Sequence, residues 1–267
     1  MRLLDVHARY SAGEDWVLRG VEAELRPGDT IVVTGRNGAG KSTLLRALAG
    51  LTPIGRGRVL DRPAVVGWLP DRFPTDQQFT AAGYLRAMGQ VRGLARADAD
   101  AVVARLAERL QLTAYLPVPL AELSQGTGRK VALVQALLTR PGLLILDEPW
   151  EGLDAPTQAE LPALVGEVTE AGGICVVTDH RGRSADLGSA RRWTVRDGRV
   201  EEQPLAELAP DSSAPQAPQD PQDPQDPTDP QGPWHVIEVV VRAHDPAGEV
   251  ARLRAAGYDV RRVRSEA

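Results

Sequence analysis

Compact apolar runs alternate with segments of helical periodicity along most of the chain. The runs at 30–34, 143–146 and 174–178 have the length and composition of buried strands. Apolar residues recur at helical spacing between Thr80 and Leu112, which predicts two or three helices. Further helices are predicted at 42–51, 129–138 and 157–170. Strands that alternate with helices indicate a mostly parallel sheet covered on both faces, and therefore an α/β fold.

Both ends of the chain depart from this pattern. Between residues 3 and 25, short apolar runs separated by turn residues predict antiparallel strands. An imperfect repeat of proline, glutamine and aspartate within 206–233 favours an extended linker that cannot form a core. Residues 234–267 predict a small βαβ-like, α+β module. The main domain is therefore expected at 1–205, with a helical subdomain at about 75–140.

Composition and charge narrow the classes of function. A net charge of −5 and a pI near 5.5 give no electrostatic reason to expect a nucleic-acid partner. No apolar run approaches the roughly 18 residues that cross a bilayer, and the first residues lack a signal-peptide core, so a cytoplasmic protein is expected. The single cysteine, Cys175, lies in an apolar run and is expected to be a buried structural thiol.

A glycine-rich segment with the P-loop spacing, GRNGAGKST at 35–43, lies between a predicted strand and a predicted helix. Glycines allow successive backbone N–H groups to point inward, and a helix N-terminus adds positive potential for a phosphate. Lys41 would add a mobile charge, and the Ser42 hydroxyl would be a hard oxygen ligand for Mg²⁺. The alternative is a glycine-rich turn with an exposed lysine. The predicted nucleotide-binding residues of this segment are Arg36, Asn37, Gly38, Ala39, Gly40, Lys41, Ser42 and Thr43.

Two adjacent carboxylates follow the predicted strand at 143–146. The carboxyl ends of parallel strands form the ligand-binding edge of a doubly wound sheet, so Asp147 and Glu148 should lie beside the phosphates. Asp147 is predicted to bind Mg²⁺, and Glu148 to act as the general base for the attacking water. Two solvated acids in a loop are the alternative, which the upstream P-loop disfavours.

The order of these motifs, with Leu123-Ser124-Gln125-Gly126-Thr127 between them, resembles the ATP-binding cassette (ABC) ATPases over residues 1–205. The resemblance implies hydrolysis of ATP with Mg²⁺, and a homodimer that encloses two nucleotides. It also implies that Ser124 and Gly126 face the γ-phosphate held by the other protomer.

The same resemblance suggests roles for residues outside the main motifs. Tyr10 would stack on adenine, although Trp16 competes for that role and either ring could instead be a core aromatic. His180 resembles a switch histidine that contacts the γ-phosphate, and Asp154 resembles an aspartate that crosses the dimer interface. Asp71 stands where the family has Gln or Glu and would contact Mg²⁺ or nucleotide, although its side chain is shorter.

The signature and its flanks suggest a class of transporter. The Leu-Ser-x-Gly-Thr form followed by Arg-Lys looks like the drug and small-molecule exporter branch, and also like haem-exporter ATPases. An exporter motor subunit is therefore expected, held on the inner face of the membrane by an integral membrane permease. Soluble ABC proteins that act on ribosomes, or in DNA repair, are the alternatives. They would require a second cassette or a long coiled-coil insertion, and the sequence contains neither.

Trp150 replaces a small residue of the family, and the sequence offers no reason for it.

Overall fold

The computed structural model describes residues 1–203, apart from residues 12, 72, 74–76, 180, 181 and 189. The predicted linker at 206–233, the predicted module at 234–267 and His180 lie outside the described residues. Within the described part of the chain, none of the helices has the length and apolar character that crossing a membrane requires.

The described residues form strands and helices in an alternating order. The strands are β1 (Arg2–Ala8), β2 (Leu18–Glu24), β3 (Thr30–Thr34), β4 (Arg56–Leu60), β5 (Val66–Leu69), β6 (Leu143–Leu146), β7 (Ile174–Thr178), β8 (Arg191–Arg196) and β9 (Arg199–Gln203). The α-helices are α1 (Lys41–Ala49), α2 (Ala81–Val91), α3 (Arg96–Arg109), α4 (Gln125–Leu137) and α5 (Ala155–Glu170). Short 3₁₀ turns lie at Thr113–Tyr115, Leu120–Glu122 and Arg183–Leu187.

Two sheets form the framework. The larger sheet has the order β5-β6-β7-β3-β8-β9, and all its pairs are parallel except the antiparallel β8–β9 pair. The smaller sheet has the order β2-β1-β4 and is antiparallel throughout. The predicted α/β class, with a mostly parallel core sheet and an N-terminal antiparallel part, is confirmed.

The central strands are apolar along their whole length because each face of the large sheet is covered by a different core. Leu144 and Leu146 of β6 pack with α2, α3, α4 and α5 on one face. Leu143 and Ile145 pack with α1 and the antiparallel sheet on the other face. Successive side chains of a strand point to opposite faces, so two cores require an unbroken apolar run. Cys175 of β7 is buried in the first core, which confirms its structural role.

Three helix boundaries differ from those expected. Helix α4 begins at Gln125 rather than 129, because the Ser124 hydroxyl caps it by accepting from the Thr127 N–H at 3.1 Å. Helix α5 begins at Ala155, two residues early, after Asp154 caps it through the Thr157 N–H. Helix α1 begins at Lys41 and ends at Ala49, where Gly50 takes the left-handed conformation.

Four strands have no counterpart among the predicted elements: β4, β5, β8 and β9. In β4 and β9 most side chains are exposed or half-buried, so these strands lack an apolar run. Strand β8 has arginine at its first two positions and its last, so it also lacks an apolar run, and it pairs in parallel with β3. Strands β4, β5 and β8 pair with strands that are distant in the chain, so local propensity does not reveal them. Strand β9 instead pairs with β8 across the two-residue turn Asp197-Gly198, which was a usable hairpin signal in the sequence.

Candidate functional site

The carboxyl ends of β3, β6 and β7 meet at one edge of the large sheet, because these three strands are neighbours and parallel. The residues that directly follow them are Gly35, Asp147 and Asp179. The predicted P-loop and the predicted Asp-Glu pair therefore lie at the same edge, as expected for a doubly wound sheet.

The P-loop backbone is shaped by glycines with positive φ. Gly35, Gly38 and Gly40 have φ angles of 142°, 80° and 108°. A Cβ on Gly35 would lie 2.4 Å from the Val195 carbonyl oxygen, so a side chain at this position is excluded by sterics. The loop leads directly into α1, whose first residue is Lys41. Its backbone N–H groups thus surround a helix N-terminus, the arrangement that binds phosphate.

The Lys41 ammonium spans the loop instead of extending into solvent. Its Nζ donates to the carbonyl oxygens of Gly35 at 2.8 Å and Arg36 at 3.4 Å, and the residue is only 9% exposed. Ser42 is exposed in the first turn of α1, whereas Thr43 is buried. The remaining loop residues Asn37 and Ala39 lie at its exposed and half-buried rim.

Asp147 is a buried carboxylate, with 6% of the residue exposed. Its Oδ1 accepts from the Thr178 hydroxyl at 2.8 Å. Burial raises the pKa of Asp147 above its ordinary value, while the hydrogen bond from Thr178 and the nearby positive charges of Arg129 and Lys41 oppose that rise.

Glu148 has a backbone conformation that glutamate rarely adopts. Its φ is +50°, and it precedes Pro149, a position that normally favours extended backbone. Such a conformation costs on the order of 1–3 kcal/mol and persists only where surrounding contacts impose it. The Glu148 N–H donates to the Thr178 hydroxyl oxygen at 2.7 Å, so one buried threonine contacts both residues of the Asp-Glu pair.

Three residues of this site were not identified from the sequence: Thr178, Asp179 and Arg129. Asp179 is 4% exposed and accepts from the Ser184 N–H at 2.6 Å. An acid directly after a buried strand was a usable signal, the same one that identified Asp147. Arg129 lies in α4, and its guanidinium donates to the carbonyls of Asp71, Asp147 and Glu148. No local pattern reveals those acceptors.

The predicted signature segment packs against the loop that follows Glu148. A Cβ on Gly126 would lie 2.4 Å from the Gly152 carbonyl oxygen, so only glycine permits this approach of α4 to the loop. One turn further along α4, Lys130 Nζ donates to Asp154 Oδ2 at 2.7 Å. Ser124 remains exposed at the helix N-terminus.

Asp154 already has partners within its own chain. One carboxylate oxygen caps α5 and the other pairs with Lys130, and both hydrogen bonds hold the pKa of Asp154 below its ordinary value. The side chain is nevertheless 48% exposed. Its predicted role in crossing a dimer interface stays a prediction.

Tyr10 and Trp16 differ in how much of each ring is available. Tyr10 is 60% exposed, and its hydroxyl is 2.9 Å from the Thr43 hydroxyl in the P-loop. Trp16 packs edge-on against His7 and lies beneath the Arg9 guanidinium, 4.4 Å from the ring centroid. Tyr10 is therefore the ring beside the phosphate loop with an open surface, which favours it for adenine stacking.

Asp71 and Trp150 also lie at this edge of the structure. The Asp71 side chain is 61% exposed, and its Oδ1 is 3.9 Å from the Arg129 guanidinium. Trp150 is 5% exposed, packs in the core beneath α4 and α5, and accepts through its carbonyl from the Gln158 amide at 2.8 Å. Core packing thus explains the large residue at 150. Both residues line a cavity with Gln125, Arg129, Glu148 and Asp179.

The donor set suits a magnesium nucleotide. Within the described residues no cluster of three or more His, Cys, Asp or Glu side chains forms a metal cage. Mg²⁺ commonly binds one or two protein oxygens together with substrate phosphates and water. The Ser42 hydroxyl and the Asp147 carboxylate are such oxygens, beside a loop that binds phosphate. The ligand assignments for Ser42, Asp147 and Asp71 stay predictions.

Asp147→Asn is expected to raise the melting temperature of the ligand-free protein by a few degrees at neutral pH. In the folded protein the pKa of Asp147 is raised above its ordinary value of 3.8. At a pH between the ordinary and the raised pKa, the folded state therefore binds more protons than the unfolded chain. Wild-type stability therefore falls as pH rises through that window, whereas the neutral amide has no such cost. Asparagine retains an oxygen for the Thr178 hydroxyl.

Thermal unfolding of both proteins from about pH 4 to pH 8 tests this expectation, with the stability gap growing as pH rises and then becoming constant. A variant that is less stable than wild type at every pH would show that the ionised carboxylate is a net stabilising group.

Comparison with known proteins places this geometry in a family. Residues 18–151 match the ABC transporter family. The zinc import ATP-binding protein ZnuC of Cereibacter sphaeroides is 39% identical over 174 residues, which cover 64% of this chain and 69% of that protein. ZnuC of Yersinia pestis is 34% identical over 168 residues, 62% of this chain and 64% of that protein. The chain thus spans about two thirds of the length of these relatives.

A solved structure described as the ATP binding subunit of an ABC transporter superimposes with a TM-score of 0.70 and 26% identity. The match covers 77% of this chain and 90% of that one. Because the bacterial relatives are named as zinc importers, they do not support the exporter branch that the signature suggested. The family match and the shared fold together establish that the chain belongs to the ABC transporter family and is one of its ATPases.

Proposed function

We propose that this chain is the ATP-hydrolysing motor subunit of an ABC transporter, working as a homodimer bound to a separate integral membrane permease. The observation that carries the proposal is the single sheet edge that brings the P-loop, Asp147 and Glu148 together. The P-loop follows β3 and the Asp-Glu pair follows β6, as expected if both serve one triphosphate.

The residues at this edge divide the work of hydrolysis. The loop N–H groups and Lys41 bind the β- and γ-phosphates, and the Lys41 ammonium exchanges the Gly35 and Arg36 carbonyls for phosphate oxygens. When bound, Mg²⁺ supplies charge neutralisation, with Ser42 and Asp147 as its protein ligands. Glu148 accepts a proton from the water that attacks the γ-phosphorus, and the bond to the ADP oxygen breaks.

Residues of the signature segment support a site that a second protomer completes. Ser124 and Gly126 lie in the first turn of α4, where unpaired N–H groups and the helix dipole favour an anion. The segment has no lysine or carboxylate of its own to bind a magnesium nucleotide. It therefore suits a cap over a γ-phosphate held elsewhere, and a two-fold dimer supplies that phosphate from the partner.

The permease would hold the protein on the cytoplasmic face of the membrane. Cargo contacts the permease and not this chain, so the permease sets the substrate and the direction of transport. The names of the bacterial relatives favour zinc uptake, and export of small molecules or haem is the alternative.

Co-purification of the full chain from its native membrane, followed by reconstitution of the recovered complex in liposomes, tests this function. A multi-spanning membrane protein should be recovered, should stimulate ATP hydrolysis, and should move zinc only when ATP is hydrolysed. Flux of another cargo would change the substrate and leave the motor role intact. An ATPase that acquires no membrane protein and no stimulation would identify a soluble ABC protein instead.

A further inference from the structure

Arg129 is a buried cation with an unusual set of partners. It lies in the second turn of α4, with only 5% of the residue exposed. Its two terminal nitrogens donate to three backbone carbonyls from two separate segments: Asp71 before α2, and Asp147 and Glu148 after β6. The nearest carboxylate oxygen, Asp71 Oδ1, is 3.9 Å away.

Burial of this charge requires compensation. Loss of solvent lowers the pKa of Arg129, and the negative charges of Asp71, Asp147, Glu151 and Glu148 oppose that change. A planar guanidinium presents several donors in fixed directions, so it can bind carbonyls of different segments at once. The cost of burying Arg129 is therefore offset only while those segments keep their places.

The contact with Glu148 depends on its left-handed backbone. Successive carbonyls of an extended strand point in opposite directions, so a strand could not offer both to one nitrogen. With φ of +50° at Glu148, the carbonyls of Asp147 and Glu148 both accept from the same terminal nitrogen of Arg129. On the other side of the backbone, the Glu148 N–H is bound by Thr178.

We infer that Arg129 is a positioning residue for Glu148. Its guanidinium holds the strand end in the left-handed conformation that directs the Glu148 carboxylate, and it ties that conformation to the segment of Asp71. This inference rests on the proposed role of Glu148 in ATP hydrolysis.

The contacts of Lys130 differ from those of Arg129, so the positioning role belongs to Arg129 and not to any cation of α4. Lys130, the next residue of α4, pairs with Asp154 in the following loop. The two cations thus hold different segments, and the hydrogen bond to the Glu148 carbonyl comes from Arg129. A shift of α4 would move the strand end through Arg129, which gives the signature helix a direct mechanical connection to the predicted general base.

Steady-state ATPase kinetics of Arg129→Gln and Arg129→Lys test the inference in the full chain. We expect kcat to fall about 100-fold in the glutamine variant, with KM for ATP within about threefold of wild type, because a misdirected general base slows the chemical step and leaves nucleotide binding intact. Lysine can donate to some of the carbonyls but lacks the planar fork, so its kcat should lie roughly 10-fold below wild type.

Arg109→Gln is the matched control for losing a structural arginine. Arg109 joins α3 to α5 through Glu160 and Glu167, and its side chain has no hydrogen bond or ion pair to the sheet-edge residues that the structure describes. The Arg109→Gln variant should be less stable than wild type but should have the same kcat. Equal kcat losses in Arg109→Gln and Arg129→Gln would show that the effect is general destabilisation, and would overturn the inference.

A double-mutant cycle with Glu148→Gln supplies the decisive readout. If Arg129 acts through the Glu148 carboxylate, Arg129→Gln should have no further effect on kcat once that carboxylate is gone. Full additivity would overturn the inference. If Arg129→Gln does not fold, the Arg129→Lys variant tests the inference, because an unchanged kcat in that variant also overturns it.

The same measurements separate this inference from the proposed function. Wild-type protein without ATPase activity would reject the proposed function itself. An active wild type together with a wild-type kcat in Arg129→Gln would reject the positioning role alone.

Discussion

Glu148→Gln is expected to bind ATP as wild type does and to hydrolyse it at least about 100-fold more slowly, because general-base catalysis typically contributes 10²–10⁴-fold. The amide is nearly isosteric with the carboxylate but cannot accept the proton of the attacking water. Backbone contacts with Thr178 and Arg129 do not involve the side chain, so the local conformation should persist. Unhydrolysed ATP should then accumulate between two protomers.

Phosphate release, equilibrium binding of ATP and size-exclusion chromatography with and without ATP measure the three outcomes. Glu170→Gln, the same substitution at the exposed end of α5, is the control and should leave all three unchanged. Turnover near the wild-type rate in Glu148→Gln would show that another group accepts the proton.

Lys41→Ala is expected to weaken ATP binding by about 100-fold, as loss of one charge-assisted contact of roughly 2–3 kcal/mol predicts. The Lys41 ammonium is held across the loop by the carbonyls of Gly35 and Arg36, at the place where the terminal phosphates would bind. Alanine leaves the N–H groups of the loop in place but removes their only lysine. Hydrolysis should fall with binding, because the same charge stabilises the transition state.

Binding of a fluorescent ATP analogue, with hydrolysis measured at saturating ATP, separates the two effects. Arg46→Ala removes an exposed cation from the same helix and serves as the control for net charge. ATP affinity and turnover that both remain normal in Lys41→Ala would show that the loop does not bind the phosphates.

Elements buried on both faces are the ones that the sequence reveals. Strands β3, β6 and β7 appear as short unbroken apolar runs because two cores cover the large sheet, and all three match the structure residue for residue. Strands β4 and β9 lack such runs because most of their side chains are exposed or half-buried. Strand β4 pairs with β1, which no local pattern identifies, whereas the Asp197-Gly198 turn between β8 and β9 was a usable hairpin signal.

The residues of the site also fall into those that the sequence reveals and those that it does not. The glycine spacing of the P-loop and the acids that end β6 are visible because phosphate binding needs consecutive N–H groups and strand ends meet at one edge. Asp179 could have been found by the strand-end signal. Thr178 and Arg129 could not, since their importance lies in hydrogen bonds to Glu148, which is 30 and 19 residues away along the chain.

The amino-acid sequence alone was sufficient for the fold class, the order of the motifs and the phosphate loop, because each depends on neighbouring residues or on periodic burial. The three-dimensional fold was needed for the left-handed backbone of Glu148, the triple contact of Arg129, the pairing of Lys130 with Asp154 and the exposed face of Tyr10. Each of these features depends on which segments, distant in the chain, lie next to one another. Those segments come together only when the sheet and the helices pack.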